Sequence, residues 1–228
     1  MALLRALRGA AKDDPEALVA GLKLPASAAA AALAANRAAG TAPTLPALDR
    51  YSGVLYAALG VDSMSAASRR TAEESVLVFS GLWGVVRGGD CIPAYRVPAS
   101  GVVPGFGAVT AHWRGPLAQV APVLVGNQPV VDLRSTDYAG MWRPAGAMRD
   151  RFVVVRVLAD RGRGVPRPVS YHAKLVKGEV TRFLVTGRRR WTDPLEAVRA
   201  AAEALDLSIV DRGAGPAGHQ VDLLGRYG

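Results

Sequence analysis

Cysteine is almost absent from the chain: Cys91 is the only one among 228 residues. A single thiol excludes an intramolecular disulfide framework and a cysteine-based zinc cluster. Histidine is nearly as scarce. His112, His172 and His219 lie far apart and show no metal-ligand spacing, so no metal and no other cofactor is expected. Long apolar runs are missing too. The longest alanine stretch, residues 28–32, is too short and too weakly apolar to span a bilayer. The opening MALLRALRGAAKDD has no long apolar core and no clean cleavage site, which makes the cytoplasm the expected location, with no membrane partner. No GxxxxGK[ST] phosphate loop occurs. Lysine is also sparse: Lys12, Lys23, Lys174 and Lys177 are all there are, so nearly every cation is arginine.

What the chain does have is positive charge. Its 28 basic residues exceed 19 acidic ones, for a net charge of +9 and a pI of about 10.3. A balance of this kind favours anionic partners without fixing a fold. Half of the residues are hydrophobic, enough for one sizeable core. A single α/β domain over residues 1–228 is expected, a mixed sheet surrounded by helices. Its parts would be a helical region to about residue 74, an α/β core over about 75–210 and a flexible tail over 211–228.

Local signals place the elements. Acids, Pro15 and Lys23 mark a helix over 13–23, and residues 25–38 read as a second. Residues 41–46 (TAPTLP) form a rigid turn. An interrupted helical segment over 47–58 and a helix over 63–74 follow. Residues 75–79 (SVLVF) and 129–133 (PVVDL) read as buried strands. Residues 152–158 and 165–171 read as two strands joined by the turn ADRGRG. Residues 174–185 are amphipathic and helical, weakened by Gly178. Asp193 caps a helix ending near 205, with Pro194 at its first position. Residues 208–210 can form a last strand.

Three stretches carry groups able to do chemistry. After the strand at 75–79 comes a glycine-rich loop with Ser80, Arg87, Asp90, Tyr95 and Arg96. Glycines let backbone N–H groups approach an anion, and arginines grip phosphate, sulfate or carboxylate bidentately. A plain Asp90–Arg ion pair pinning the loop is the structural alternative. The second stretch, Asp132 to Tyr138, follows directly on a strand, where α/β sheets usually bind ligands. There Asp132 can act as a base and Ser135 and Tyr138 as donors, or Ser135 or Asp137 can simply cap a helix. The third holds His172, Lys174, Lys177 and Arg182, whose helical spacing sets the cations on one side. A solvated face or a packed histidine are the alternatives. The run Arg188-Arg189-Arg190 before Trp191 is either a solvated corner or a phosphate patch.

Read in order, YSGVLYAAL, SGLWGVVR, GD, IPAYR, HW, VVDLRSTDY and SYHAKLVKGEVTRFLV resemble successive blocks of the YaaA family, named for a bacterial peroxide-stress protein. The resemblance spans roughly residues 13–210. It implies a compact α/β fold with a positively charged cleft and a helix-hairpin-helix element, DNA binding, and protection under hydrogen peroxide linked to limiting free iron. The family's opening strand and LPPSEGK-like segment have no counterpart here, so an uncovered edge or groove is expected beside the sheet. The family's R-P-x-D is Arg87-Gly88-Gly89-Asp90 here. Its K-x-x-R-G is Lys174-Leu175-Val176-Lys177-Gly178, which keeps the charge and loses the guanidinium fork.

The first functional expectation is DNA binding, mainly to the backbone, through Ser80, Arg87, Tyr95, Arg96, Ser135, Tyr138, Lys174, Lys177 and Arg182 in one concave basic surface. The alternative is an enzyme of specialised metabolism acting on a small anionic substrate. Asp90, Asp132 and His172 would be its catalytic groups and the cations would hold a leaving anion, as in sulfate loss with aziridine ring closure.

Overall fold

The computed structural model describes residues 2–160, 170–187 and 189–226. In chain order the elements are α1 (Ala2–Asp13), α2 (Pro15–Gly21), α3 (Ala26–Ala38), β1 (Thr44–Pro46), α4 (Ala47–Arg50), α5 (Val54–Leu59), α6 (Ala66–Ser75), β2 (Leu77–Ser80), β3 (Gly84–Arg87), β4 (Cys91–Pro93), β5 (Val102–Val103), β6 (Gly107–Ala108), α7 (Val109–Val125), β7 (Val130–Asp132), α8 (Thr136–Ala139), β8 (Phe152–Asp160), α9 (Ser170–Thr186), α10 (Pro194–Ala204), β9 (Ser208–Gly215) and β10 (Gly218–Arg226). Short 3-10 turns lie at Val61–Ser63 and Gly146–Arg151. The fold is mixed α/β. The chain divides into two compact units. The first holds the chain through Arg50, Val76–Leu124 and Arg134–Arg143; the second holds Tyr51–Ser75, Val125–Leu133 and the chain from Pro144 onward.

In the first unit, α1 is amphipathic. Leu3, Leu4, Leu7, Ala10 and Ala11 are buried against Leu18, Leu22, Leu82, Val103 and Val109. The Arg37 guanidinium donates to the Ala11 carbonyl, a cation at the C-terminal end of α1. The helix expected from residue 13 starts at Pro15, because Asp14 caps it by accepting from the Ala17 N–H at 2.9 Å. Residues 44–46, expected within a turn, pair antiparallel with β4. The loop expected to be irregular after residue 80 instead folds β2 against β3, from Ser80↔Gly84 to Leu77↔Arg87. Gly84 opens β3 at φ +78°, and the Trp113 ring lies 2.7 Å from where its Cβ would be. Helix α7 lacks an obvious signal, since Pro116 and Pro122 sit inside it while Leu117, Ala121 and Val125 are buried at four-residue spacing.

In the second unit the strand order is β7-β8-β10-β9. Strands β7, β8 and β10 run parallel, and β9 is antiparallel to β10. Among the described residues, β7 therefore lies at one edge of this sheet and β9 at the other. Val153, Val155 and Val157 of β8, with Val221 and Leu223 of β10, bury one face against Val176 and Val180 of α9 and Val198, Ala201 and Ala202 of α10. Asp193 caps α10 as expected, accepting from Leu195 N–H at 2.8 Å.

Two readings of this unit change. Of the strand expected over 165–171, residues 165–169 lie outside the described residues, and Ser170 and Tyr171 open α9. The joining turn lies outside them at 161–164, and β8 extends to Asp160. The tail expected to be flexible forms the β9–β10 hairpin. Its glycines and Pro216 serve the turn, while Val221 and Leu223 supply the apolar alternation that docks β10 beside β8.

Candidate functional site

In the first unit, Ser80 is buried at the end of β2, and its hydroxyl is committed internally. Ser80 Oγ lies 2.6 Å from the Tyr95 hydroxyl and accepts from the Leu82 and Trp83 N–H groups at 3.2 and 2.9 Å. These bonds hold the SGLW turn shut. Trp113 adds a bond from Nε1 to the Gly81 carbonyl at 2.8 Å. Asp90 closes the next turn by accepting from the Arg87 backbone N–H at 2.8 Å. The Arg87 side chain at the end of β3 is exposed. Arg96 is exposed as well, while its backbone is clamped on both sides by Asn36. The Arg96 N–H donates to Asn36 Oδ1 at 2.7 Å, and Asn36 Nδ2 donates to the Arg96 carbonyl at 3.0 Å. Asn36 is 1% exposed, so the clamp is buried. Ser135 is exposed at the N-cap of α8, without a side-chain capping bond, and Tyr138 is half-buried. A cavity of about 110 Å³ lies among Leu3, Leu4, Leu82, Trp83, His112 and Trp113. Burial lowers the His112 pKa, favouring the neutral ring.

In the second unit, Asp132 ends β7 and is buried. Lys177 of α9 is half-buried, and desolvation lowers its pKa while the Asp132 charge opposes the shift. Desolvation weakens the charged form of this lysine, and the one carboxylate beside it supports that form. His172 is half-buried on the first turns of α9, with its ring edge-on to Tyr171 at 5.6 Å between centroids. Lys174 is exposed. Arg182 does not sit on an open face: its Nη1 donates to the Leu59 and Gly60 carbonyls, both at 2.9 Å. A cation there satisfies the C-terminal end of α5. Of the three α9 cations expected together on one side as anion contacts, Lys174 is thus the one displayed to solvent.

A charged group that sequence reading missed lies on the sheet. Asp222 of β10 is fully buried and accepts from Arg156 Nε at 2.7 Å, Arg156 Nη2 at 2.8 Å and Arg212 Nε at 2.7 Å. Burial pushes the Asp222 pKa up, but the two guanidinium groups outweigh it, and the carboxyl lies below its ordinary range. The available signal was an aspartate inside the apolar alternation of VDLL. Among the described residues no single helix is long and apolar enough to cross a membrane, and no three His, Cys, Asp or Glu side chains cluster to hold a metal.

The family model described as peroxide stress protein YaaA matches residues 2–204. A UPF0246 protein of Streptomyces coelicolor is 46% identical over 160 residues, covering 70% of this chain and 60% of the relative. One of Corynebacterium efficiens is 37% identical over 186 residues, covering 79% and 67%. The chain therefore spans only part of the length of these relatives. Hairpin β9–β10 follows the segment matched by the family model. With a family match over most of its length, the chain belongs to the peroxide stress protein YaaA family.

Proposed function

We propose that the protein binds the phosphodiester backbone of nucleic acid, duplex DNA foremost, in the cytoplasm, and that this binding serves the peroxide response for which its family is named. The observation that carries this reading is the net charge of +9, with Arg87, Arg96 and Lys174 displayed to solvent. Each contact of a cation with a phosphate releases a counterion, which makes affinity salt-dependent and largely blind to sequence. About three phosphates neutralised corresponds to a log–log salt slope of roughly −3 on duplex DNA. Fluorescence anisotropy of a labelled duplex across a salt series measures this slope. Lys174→Ala should make it shallower by about 1. Absence of binding even at low salt would remove the reading.

A second reading is favoured by the buried Asp132 and the desolvated Lys177. In it the second unit works on a small anionic substrate: Asp132 takes a proton from a nucleophile while a cation holds a departing sulfate or phosphate. Stabilisation against heat by a small sulfated or phosphorylated amine, lost in Asp132→Asn, with no DNA binding, would favour it over the first.

A further inference from the structure

The sheet of the second unit has one face covered by α9 and α10, and the alternation of its strands sends Arg156 and Asp222 to the other. Their positions are set by register. Asp222 pairs with Arg156 across β10 and β8, and with Val210 across β10 and β9. Arg212 joins them through an irregularity. The β9–β10 register shifts between Gln220 and Val221, so β9 carries an extra residue beside Arg212. Gly213 takes φ +73° there, and the Asp211 carboxylate accepts its N–H at 2.9 Å. Bulges of this kind bend a strand and re-aim a side chain. Here Arg212 comes to rest on the same carboxylate as Arg156, from the opposite strand.

Two guanidinium charges share one buried carboxylate, which leaves a local charge of +1. The side chains of Arg156 and Arg212 remain 56% and 46% exposed, while Asp222 is at 0%. The carboxylate sits beneath the arginines and orients them: it takes the Nε–Nη2 edge of Arg156 and the Nε of Arg212. Because the ordering of two long side chains is already done in the free protein, an anion arriving from solvent does not have to supply it.

We propose that Arg156 and Arg212, held by Asp222, form a phosphate-gripping site for the nucleic-acid backbone on the face of this sheet turned away from α9 and α10. The proposal rests on the nucleic-acid reading and gives it a location. Charge complementarity selects the occupant: a rigid pair of planar forks with surplus positive charge matches the oxygens of a phosphodiester better than it matches any apolar partner.

The test compares duplex affinity and its salt slope for five proteins, with folding checked by circular dichroism. Wild type sets the reference. Arg156→Gln with Arg212→Gln should make the slope shallower by about 2. If that pair fails to fold because Asp222 is left buried and uncompensated, adding Asp222→Asn removes the stranded charge, and the same loss of slope is expected. Arg156→Lys with Arg212→Lys keeps the charge and loses the forks, so it should keep the slope while affinity falls about tenfold. Glutamine variants that bind with the wild-type slope, while Lys174→Ala still reduces it, would overturn the proposal and leave DNA binding standing. Lysine variants with undiminished affinity would overturn the fork geometry. A wild type that ignores DNA at low salt would overturn the proposal together with the reading beneath it.

Discussion

Gly178→Ala is expected to destabilise the protein, although alanine is the better helix former. Gly178 lies inside α9, where replacing glycine by alanine ordinarily gains about 1 kcal/mol. At this position α5 is too close. A Cβ would stand 2.3 Å from the Leu55 carbonyl oxygen and 2.6 Å from the Ala58 Cβ. The obstructing atoms belong to the backbone and the first side-chain carbon of a neighbouring helix, so no flexible side chain can swing away. Overpacking typically costs 1–3 kcal/mol, and a rigid obstruction argues for the upper end, about 3. Subtracting the helix gain leaves a net loss of about 2 kcal/mol, or roughly 4–8 °C in Tm for a chain of this size. Gly9→Ala in α1 is the matched control, since nothing lies within 4 Å of its added Cβ, and it should stabilise by about 1 kcal/mol. Urea titrations followed by circular dichroism give both values. Equal stabilisation by the two alanines would show that α5 and α9 do not touch at Gly178, and the packing argument would fail.

Lys177 is expected to titrate below the ordinary lysine value of about 10.4, because burial disfavours its charged form; following the ε-methylene resonances of the four lysines across alkaline pH measures this. Asp132→Asn should lower that value further, since the Asp132 charge now opposes the shift, and an increase would contradict the pairing. Asp193→Ala should cost about 1 kcal/mol in urea titrations by leaving the first N–H groups of α10 without their acceptor, and Asp193→Asn much less. Ser80→Ala should cost about 1–3 kcal/mol by stranding N–H groups of the SGLW turn while leaving DNA affinity unchanged; a loss of affinity in the folded variant would return Ser80 to the binding surface.

Much of the fold was legible because its signals are local. Asp193 and Pro194 announce α10 within two residues, and the glycine at 53 interrupts the helical segment over 47–58 as read. The mixed α/β class was read from helical segments interleaved with short buried apolar strands and from the family resemblance. The hairpin β9–β10 was not legible from composition. GAGPAGHQ has the residues of a turn, and only the edge of β8, more than fifty residues earlier, turns its flanks into strands. Helix α7 escaped because two prolines mask a buried stripe that tertiary packing preserves.

The candidate site was harder to read for a related reason: a sequence counts charges, and the fold decides which of them are spent. Arg182 has the spacing of a surface cation, yet its acceptors are carbonyls 122 and 123 residues away. Lys177 keeps its spacing and sinks beside a carboxylate, whose charge offsets part of the burial. Arg156 and Arg212 are 56 residues apart in sequence, and only the parallel docking of β10 and the extra residue in β9 bring them onto Asp222. A net charge of +9 is thus a sum over arginines in different circumstances. Those that cap helix ends hold the structure together. A pair that shares one buried carboxylate stays partly exposed and is already oriented by it, which is why the phosphate site is proposed there rather than at the cations that hold helix ends.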